Sequence, residues 1–305
     1  MYDLAIIGAG PAGMSASIYS SRYGVKNIVI GQPGGLAANT HEIGNYLGFE
    51  TITGFEFAQK GEAHVKKYGA EMEYALVKQL SKEDNVFKIT LDNSKELEAK
   101  NILIAVGTAH RSLGIAGEKE FLGKGLSYCT TCDGYFYRGK TVAINGGGDS
   151  ALSAAVFMAD IAEKVYLIHR RDEFRAEDFW IESVKKNPKI EVVYNTNIKE
   201  IKGDTKLNEI ILDVPYKDLN SIAIDGLFIE IGFVPNVELV RGLGVEIDDG
   251  GFIKVDAEQK TNIAGVWAAG DISTNSNKFK QIVTAAAEGA VAAVSIQKHS
   301  KKVAV

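Results

Sequence analysis

The fold is decided by the first segment of the chain, which reads Asp3-Leu4-Ala5-Ile6-Ile7-Gly8-Ala9-Gly10-Pro11-Ala12-Gly13. The apolar run before Gly8 is typical of a buried strand in a parallel sheet. A helical pattern begins after Gly13, and Lys26–Ile30 predicts the next strand. This order of strand, glycine turn, helix and strand is typical of one half of a dinucleotide-binding domain.

Each glycine of this first turn has a mechanical role. Gly8 permits a tight turn, Gly10 lets a pyrophosphate approach the backbone, and Gly13 lets the helix pack close to the strand. The helix N-terminus would then face the anion. The following strand ends in Ile30-Gly31-Gln32, without the acidic residue that usually binds the ribose hydroxyls. The alternative is a glycine-rich turn that binds no ligand.

The same pattern returns in the middle of the chain. Thr141–Asn145 predicts a strand, Gly146–Ala151 a turn with the spacing G-x-G-x-x-A, and Lys164–Ile168 a second strand. Gly146 lies 138 residues after Gly8. The chain is therefore expected to be an α/β protein with two Rossmann-like dinucleotide-binding domains, produced by duplication rather than by a solenoid repeat.

A basic cluster follows the second repeat, where His169-Arg170-Arg171 ends the strand and Arg175 comes four residues later. An acidic residue at this place would select NAD, whereas arginines suit the 2′-phosphate of NADP. Guanidinium groups offer paired donors to phosphate oxygens. The alternative is a solvated helix start in which Asp172 and Glu173 pair with the arginines.

Both cysteines of the chain lie in one C-x-x-C motif, Cys129-Thr130-Thr131-Cys132, followed by Asp133. Two thiols at this spacing can close a disulfide, and one can attack a partner disulfide while the other resolves the mixed intermediate. Asp133 could move protons in such a reaction. The alternatives are half of a zinc site or two thiols packed as small apolar groups.

Composition excludes several classes of protein. A net charge of −5 over 305 residues argues against a nucleic-acid face, and two cysteines are too few for a disulfide scaffold or a complete zinc site. The apolar runs are shorter than the roughly 20 residues of a membrane span. The N-terminus lacks a basic leader and apolar core, so we expect a cytoplasmic protein without a membrane or metal partner.

Together these motifs resemble the low-molecular-weight thioredoxin reductases, from one end of the chain to the other. The resemblance assigns FAD-binding positions to Gly8, Gly10, Pro11, Ala12, Gly13, Gly34, Gly35, Leu36, Asn45, Ala105, Gly107, Gly270, Asp271, Lys280, Gln281 and Ile282. It assigns NADPH-binding positions to Gly146, Gly148, Asp149, Ser150, Ala151, His169, Arg170, Arg171, Arg175, Ile231 and Gly232. The sequence departs from the family pattern at Leu36, Gly44, Val106 and Ser153-Ala154.

The resemblance implies an FAD domain of residues 1–114 and 237–305, into which an NADPH domain of residues 115–236 is inserted, both with ββα layers. It implies that Cys132 lies nearer the flavin, that Cys129 attacks thioredoxin and that Asp133 is the acid–base residue. Asp271 would hold the ribityl chain. Family members are homodimers whose domains rotate against each other. The alternatives are a reductase that uses ferredoxin or another thioredoxin-like partner, and a non-enzymatic flavin redox sensor.

Overall fold

The chain divides into two compact units, one of which is inserted into the other. The structure, a computed structural model, describes residues 1–39 and 43–303. One unit combines Met1–Ala109 with Val234–Val305, and the inserted unit is His110–Phe233. The domain boundaries expected from the sequence, after residues 114 and 236, lie a few residues beyond these positions.

The helices and strands follow one another in three segments of the chain. The first segment contains β1 (Leu4–Ile7), α1 (Pro11–Arg22), β2 (Asn27–Ile30), α2 (Gly54–Lys67), β3 (Glu71–Glu73), β4 (Val77–Glu83), β5 (Val86–Leu91), β6 (Glu96–Ala99), β7 (Ile102–Ile104) and β8 (Thr108–His110). The inserted unit continues with α3 (Glu118–Phe121), β9 (Leu126–Ser127), α4 (Thr130–Asp133), β10 (Thr141–Gly146), α5 (Asp149–Ile161), β11 (Lys164–Ile168), α6 (Asp178–Lys186), β12 (Ile190–Val193), β13 (Ile198–Gly203), β14 (Leu207–Tyr216), β15 (Leu219–Ala223) and β16 (Gly226–Glu230). The last segment contains β17 (Phe233–Pro235), α7 (Glu238–Arg241), β18 (Val266–Ala268) and α8 (Ile282–Val303). Short 3-10 helices lie at Gly35–Asn39, Gly134–Tyr137 and Ser276–Lys278.

The unit formed by the two ends of the chain has three layers. Its parallel sheet has the strand order β18-β7-β1-β2-β3. Because successive side chains of a strand point to opposite faces, Leu4 and Ile6 pack against residues of α1 and α8, whereas Ala5 and Ile7 pack against the antiparallel sheet β4-β5-β6. Both faces of the sheet are therefore covered, which explains why β1 is apolar throughout.

The inserted unit repeats this ββα architecture. Its parallel sheet has the order β12-β11-β10-β16-β9. Val142 and Ile144 face the apolar side of α5, and Ala143 faces a cluster that includes Ile210 of the antiparallel sheet β13-β14-β15. Each fully buried aliphatic side chain of this kind stabilises the fold by about 1.5–3 kcal/mol. The predicted α/β class with two Rossmann-like units is thus confirmed.

The small-residue pattern near the end of the sequence predicts a last helix over residues 280–297, and the observed helix has different bounds. It begins at Ile282 and continues to Val303. The polar residues near its end stay helical because tertiary contacts hold them: the ring of His299 packs edge-on against Trp267, and the Asn101 side chain donates to the Ser300 hydroxyl. Across the described part of the chain, no helix is both long and apolar enough to cross a lipid bilayer.

Candidate active site

The first glycine turn is shaped by close backbone approaches. Gly8 has a φ of +112°, and a Cβ built on it would lie 2.2 Å from the Ala105 carbonyl oxygen. A Cβ built on Gly13 would lie 1.9 Å from the Gly8 carbonyl oxygen. Larger residues at either position would separate helix α1 from the strands. Gly10 caps α1 and Pro11 is its first residue, and no side chain caps its free amides.

Three further segments predicted to bind FAD meet this turn. The Gly34 amide donates to the Ala9 carbonyl at 2.8 Å, and a Cβ built on Gly35 would lie 3.2 Å from the Gly10 Cα. Ala105 and Gly107 follow β7, which pairs with β1. Gly270 lies against Ala12, since a Cβ built on it would be 2.9 Å from the Ala12 side chain. Segments distant in sequence therefore converge at the carboxyl edge of one sheet.

Asp271 places a largely buried carboxyl group at this edge. Its pKa is raised to about 6, chiefly by burial; the charge of Lys280 opposes this rise, and the charge of Glu288 adds to it. Among the described residues, no hydrogen bond reaches the Asp271 carboxylate. An ionised carboxylate held in this way favours a ligand that brings hydroxyl donors.

Glu288 is a further residue of this site, and it lies outside the sequence motifs. Its buried carboxylate accepts hydrogen bonds from the Gly270 amide at 2.7 Å and the Ser273 hydroxyl at 3.0 Å. It therefore holds the turn that carries Asp271. A glutamate within an otherwise small and apolar helical face was the signal that could have identified it.

The remaining predicted positions lie at the start of α8 and near Gly35. The Asn45 amide donates to the Gln281 side-chain oxygen at 3.2 Å, joining residues 236 positions apart. Ile282 is the first residue of α8, and the Lys280 ammonium lies 4.2 Å from the centre of the Phe252 ring. Leu36 lies in the 3-10 helix after Gly35 and is 41% exposed.

These features fit FAD. The uncapped α1 amides and the close Gly10 and Gly35 backbones suit a pyrophosphate, and the buried Asp271 carboxylate suits a polyhydroxyl chain. Gly8, Gly10, Pro11, Ala12, Gly13, Gly34, Gly35, Ala105, Gly107, Gly270 and Asp271 would form this surface.

The inserted unit contains a cavity of ≈ 580 Å³ around the second glycine turn. Among its lining residues are Gly146, Gly148, Asp149, Ser150, His169, Arg170, Arg171, Arg175, Ile231 and Gly232. Ala151 lies beneath the turn, because a Cβ built on Gly146 would be 2.6 Å from its side chain. The cavity thus brings together every position assigned to NADPH except Ala151.

The arginine segment folds back onto the glycine turn. The Arg175 amide donates to the Gly147 carbonyl at 2.8 Å, and the Asp149 carboxylate accepts from the Glu177 amide at 2.7 Å. In the part of the chain that the structure describes, no carboxylate forms an ion pair with Arg170, Arg171 or Arg175. The alternative of local pairing with Asp172 and Glu173 is therefore absent there, and the cationic cavity fits a nucleotide with an extra phosphate.

His169 supports the turn by packing. A Cβ built on Gly147 would lie 2.1 Å from its ring, so a larger residue could not stand at position 147. The His169 Nε2 atom is 2.9 Å from the Glu173 carbonyl oxygen. Burial and the charges of Arg171 and Arg170 lower the pKa of His169, so its ring is neutral at pH 7.

The two cysteines form a disulfide across the short helix α4. Their Cα atoms are 5.3 Å apart. The alternative of two free packed thiols therefore does not describe this structure, and the described residues contain no cluster of three or more His, Cys, Asp or Glu side chains suited to a metal. The disulfide follows β9, which pairs in parallel with β16.

Ser127, which no sequence motif marks, connects the disulfide segment to Asp133. Its hydroxyl donates to Asp133 Oδ2 at 2.6 Å and accepts from the Cys129 amide at 3.0 Å. Asp133 Oδ1 is buried and has no hydrogen bond within the described residues. The carboxylate is thus fixed through one oxygen while the other is left for a further proton or donor.

Comparisons with known proteins agree with this geometry. The model of the pyridine nucleotide-disulphide oxidoreductase family matches residues 2–289. A thioredoxin reductase of Helicobacter pylori is 41% identical, with 97% of this chain and 98% of that protein covered, and one of Bacillus subtilis is 39% identical, with 98% and 95% covered. The crystal structure of thioredoxin reductase from Streptococcus pyogenes has a TM-score of 0.86 and 33% identity, covering 99% of each chain. The resemblance seen in the motifs is confirmed, and the chain belongs to the pyridine nucleotide-disulphide oxidoreductase family.

Proposed function

We propose that this chain reduces the disulfide of thioredoxin with electrons from NADPH, through FAD and the Cys129–Cys132 disulfide. One observation carries the proposal. The arginine cluster, the glycine turn and the disulfide follow β11, β10 and β9, which are parallel strands of one sheet. Their carboxyl ends share an edge, so a cationic nucleotide cavity and a redox-active sulfur pair lie on the same side of one compact unit.

Bound FAD supplies a two-electron carrier between NADPH and the disulfide. Two electrons and one proton open the Cys129–Cys132 bond to one thiolate and one thiol. Cys129 is the sulfur that attacks the partner, and its bond to one thioredoxin sulfur releases the other as a thiolate. Cys132 then attacks Cys129, which restores the internal disulfide and releases the second thioredoxin sulfur.

Asp133 is the group that moves protons in this sequence. Ser127 binds one of its carboxyl oxygens, and the other has no hydrogen-bond donor among the described residues. Asp133 gives a proton as a departing thiolate forms and takes one back as the dithiol closes again. The FAD contacts come from the unit that contains Gly8–Gly13, Asp271 and Gln281.

The proposal is tested with the purified, flavin-loaded protein. NADPH and thioredoxin together are expected to reduce a chromogenic disulfide, and Cys129→Ser or Cys132→Ser each abolishes this while FAD is retained. NADH and reduced ferredoxin serve as competing reductants. Full thioredoxin reduction by the double serine variant would refute the dithiol role. Turnover with ferredoxin but not NADPH would instead support the ferredoxin-dependent alternative, and absence of turnover with all three would leave the redox sensor.

The proposal extends to a cytoplasmic homodimer, which the family resemblance supports. Light scattering on the eluting protein peak tests the homodimer, and a single-chain mass of about 33 kDa at micromolar concentration would contradict it. Fractionation of cells that express the native chain tests the location.

A further inference from the structure

Glu230 links the nucleotide cavity to the disulfide segment. It is the last residue of β16 and lines the cavity. Its Oε1 atom accepts a hydrogen bond at 2.7 Å from the hydroxyl of Thr130, a buried residue between the two cysteines. Among the described residues, the hydrogen bonds to the Glu230 carboxyl group come from Thr130, through its hydroxyl and its backbone amide.

The duplicated fold shows that the architecture does not need a carboxylate at this place. Gly146 pairs with Glu230 in the inserted unit, and the corresponding glycine of the other unit, Gly8, approaches Ala105. A Cβ built on Gly146 would lie 2.3 Å from the Glu230 carbonyl oxygen, much as one built on Gly8 would lie 2.2 Å from that of Ala105. The neighbouring strand end approaches the glycine turn equally closely in both units, and in the unit that contains Gly8 this strand end is an alanine, Ala105.

Keeping an acid in this environment is unfavourable by itself. Burial raises the pKa of Glu230, and hydrogen bonding from Thr130 offsets only part of the rise. A largely buried carboxyl group whose hydrogen bonds come from one residue only is stabilised by a further donor. A ligand in the cavity that presents an N–H or O–H group would supply it.

The strand order indicates which part of a dinucleotide reaches Glu230. Along the sheet edge the arginines follow β11, the glycine turn follows β10, Glu230 ends β16 and the disulfide follows β9. Neighbouring strands are about 4.8 Å apart. With the 2′-phosphate at the arginines and the pyrophosphate at the glycine turn, the nicotinamide riboside extends toward Glu230, and it carries hydroxyl and carboxamide donors.

We propose that Glu230 accepts a hydrogen bond from the nicotinamide riboside half of NADP(H) while it holds Thr130, so that nucleotide binding is coupled to the dithiol segment. This inference rests on the proposed function. It makes Glu230 a specificity residue for the nicotinamide half and Thr130 a positioning residue for the dithiol.

The first test compares two ligands by calorimetry on the oxidised, flavin-loaded protein. Both NADP⁺ and 2′,5′-ADP carry the 2′-phosphate, but only NADP⁺ carries the nicotinamide riboside. Glu230→Ala and Glu230→Gln are expected to weaken NADP⁺ binding by about fivefold to tenfold, as for the loss of one hydrogen bond. Binding of 2′,5′-ADP should change by less than about twofold. The Gln variant retains an oxygen that can accept the hydrogen bond from Thr130. A loss of NADP⁺ affinity in this variant therefore reports the contact with the ligand rather than a folding defect.

The second test measures coupling to the sulfur pair. In the reduced wild-type protein, NADP⁺ is expected to change the rate of Cys129 alkylation. Thr130→Val and Glu230→Ala should remove this change, whereas Thr130→Ser should retain it.

Unchanged NADP⁺ affinity in Glu230→Ala, or equal weakening of 2′,5′-ADP, would overturn the inference while the proposed function stands. A wild-type protein that binds neither ligand would refute the nucleotide site itself, and with it both proposals.

Discussion

At pH 8, replacing Asp271 by Asn is expected to stabilise the flavin-free protein and to weaken its retention of FAD. The pKa of Asp271 rises from 3.8 to about 6, first because of burial. At 1.36 kcal/mol per pKa unit, this difference corresponds to about 3 kcal/mol between the two protonation states. A native pKa above the unfolded value means that stability falls as the pH rises from about 4 through about 6, because ionisation then opposes folding.

The variant removes this ionisation. Its unfolding free energy at pH 8 should exceed that of the wild type by up to about 3 kcal/mol, and the gain should shrink toward zero near pH 4. FAD retention should weaken by about tenfold or more, because one charged acceptor for the ribityl hydroxyls is lost. Urea unfolding of the stripped protein at both pH values, followed by flavin titration, measures the two effects.

Glu120→Gln, which changes an exposed carboxylate, is the matched control and should show neither effect. A stability gain of the same size at pH 4 and pH 8 would refute the ionisation argument. Unaltered flavin affinity would refute the assignment of Asp271 to FAD.

Three further outcomes follow from the inserted unit. Arg170→Ala should raise the KM for NADPH about tenfold or more and leave that for NADH unchanged in steady-state kinetics, because only the former has a 2′-phosphate for this side chain to bind. Ser127→Ala should slow thiol alkylation in the reduced protein and shift its pH profile, because the Asp133 carboxylate loses its fixed orientation; an unchanged profile would contradict that role. Ile210→Ala should lower the unfolding free energy by about 2–4 kcal/mol in urea titration, whereas Val214→Ala, at an exposed position of the same strand, should stay within about 0.5 kcal/mol.

The parts of the fold that could be predicted from the sequence are those set by local pattern. Gly8 and Gly13 lie where the backbone approaches a neighbouring carbonyl oxygen. Their spacing in the sequence therefore predicts the order of strand, turn and helix. The end of α8 was not predictable in this way. Its last turns are polar, and the Trp267 ring and the Asn101 side chain, both distant in sequence, hold them.

The same distinction applies to the site. The arginine cluster and the C-x-x-C motif are short sequence patterns that can be recognised without the fold, and the structure places both on one unit. Thr130 and Glu230 are 100 positions apart, and their contact exists only because β9 lies beside β16. Single polar residues at strand ends give no sequence signal until the order of the strands is known.

The duplication explains how one architecture serves two chemistries. Strands β18-β7-β1-β2-β3 and β9-β16-β10-β11-β12 correspond in order, and each unit places its glycine turn after the central strand. The differences lie beside that turn: β18 leads to the buried Asp271 carboxylate, whereas β9 leads to the disulfide. The glycine turn that both units share depends only on backbone contacts, so the residues beside it can differ between the two units. The residues that follow the flanking strands β18 and β9 therefore distinguish a unit that only binds a nucleotide from one that also carries a redox group. The function of each unit is best sought at these strand ends.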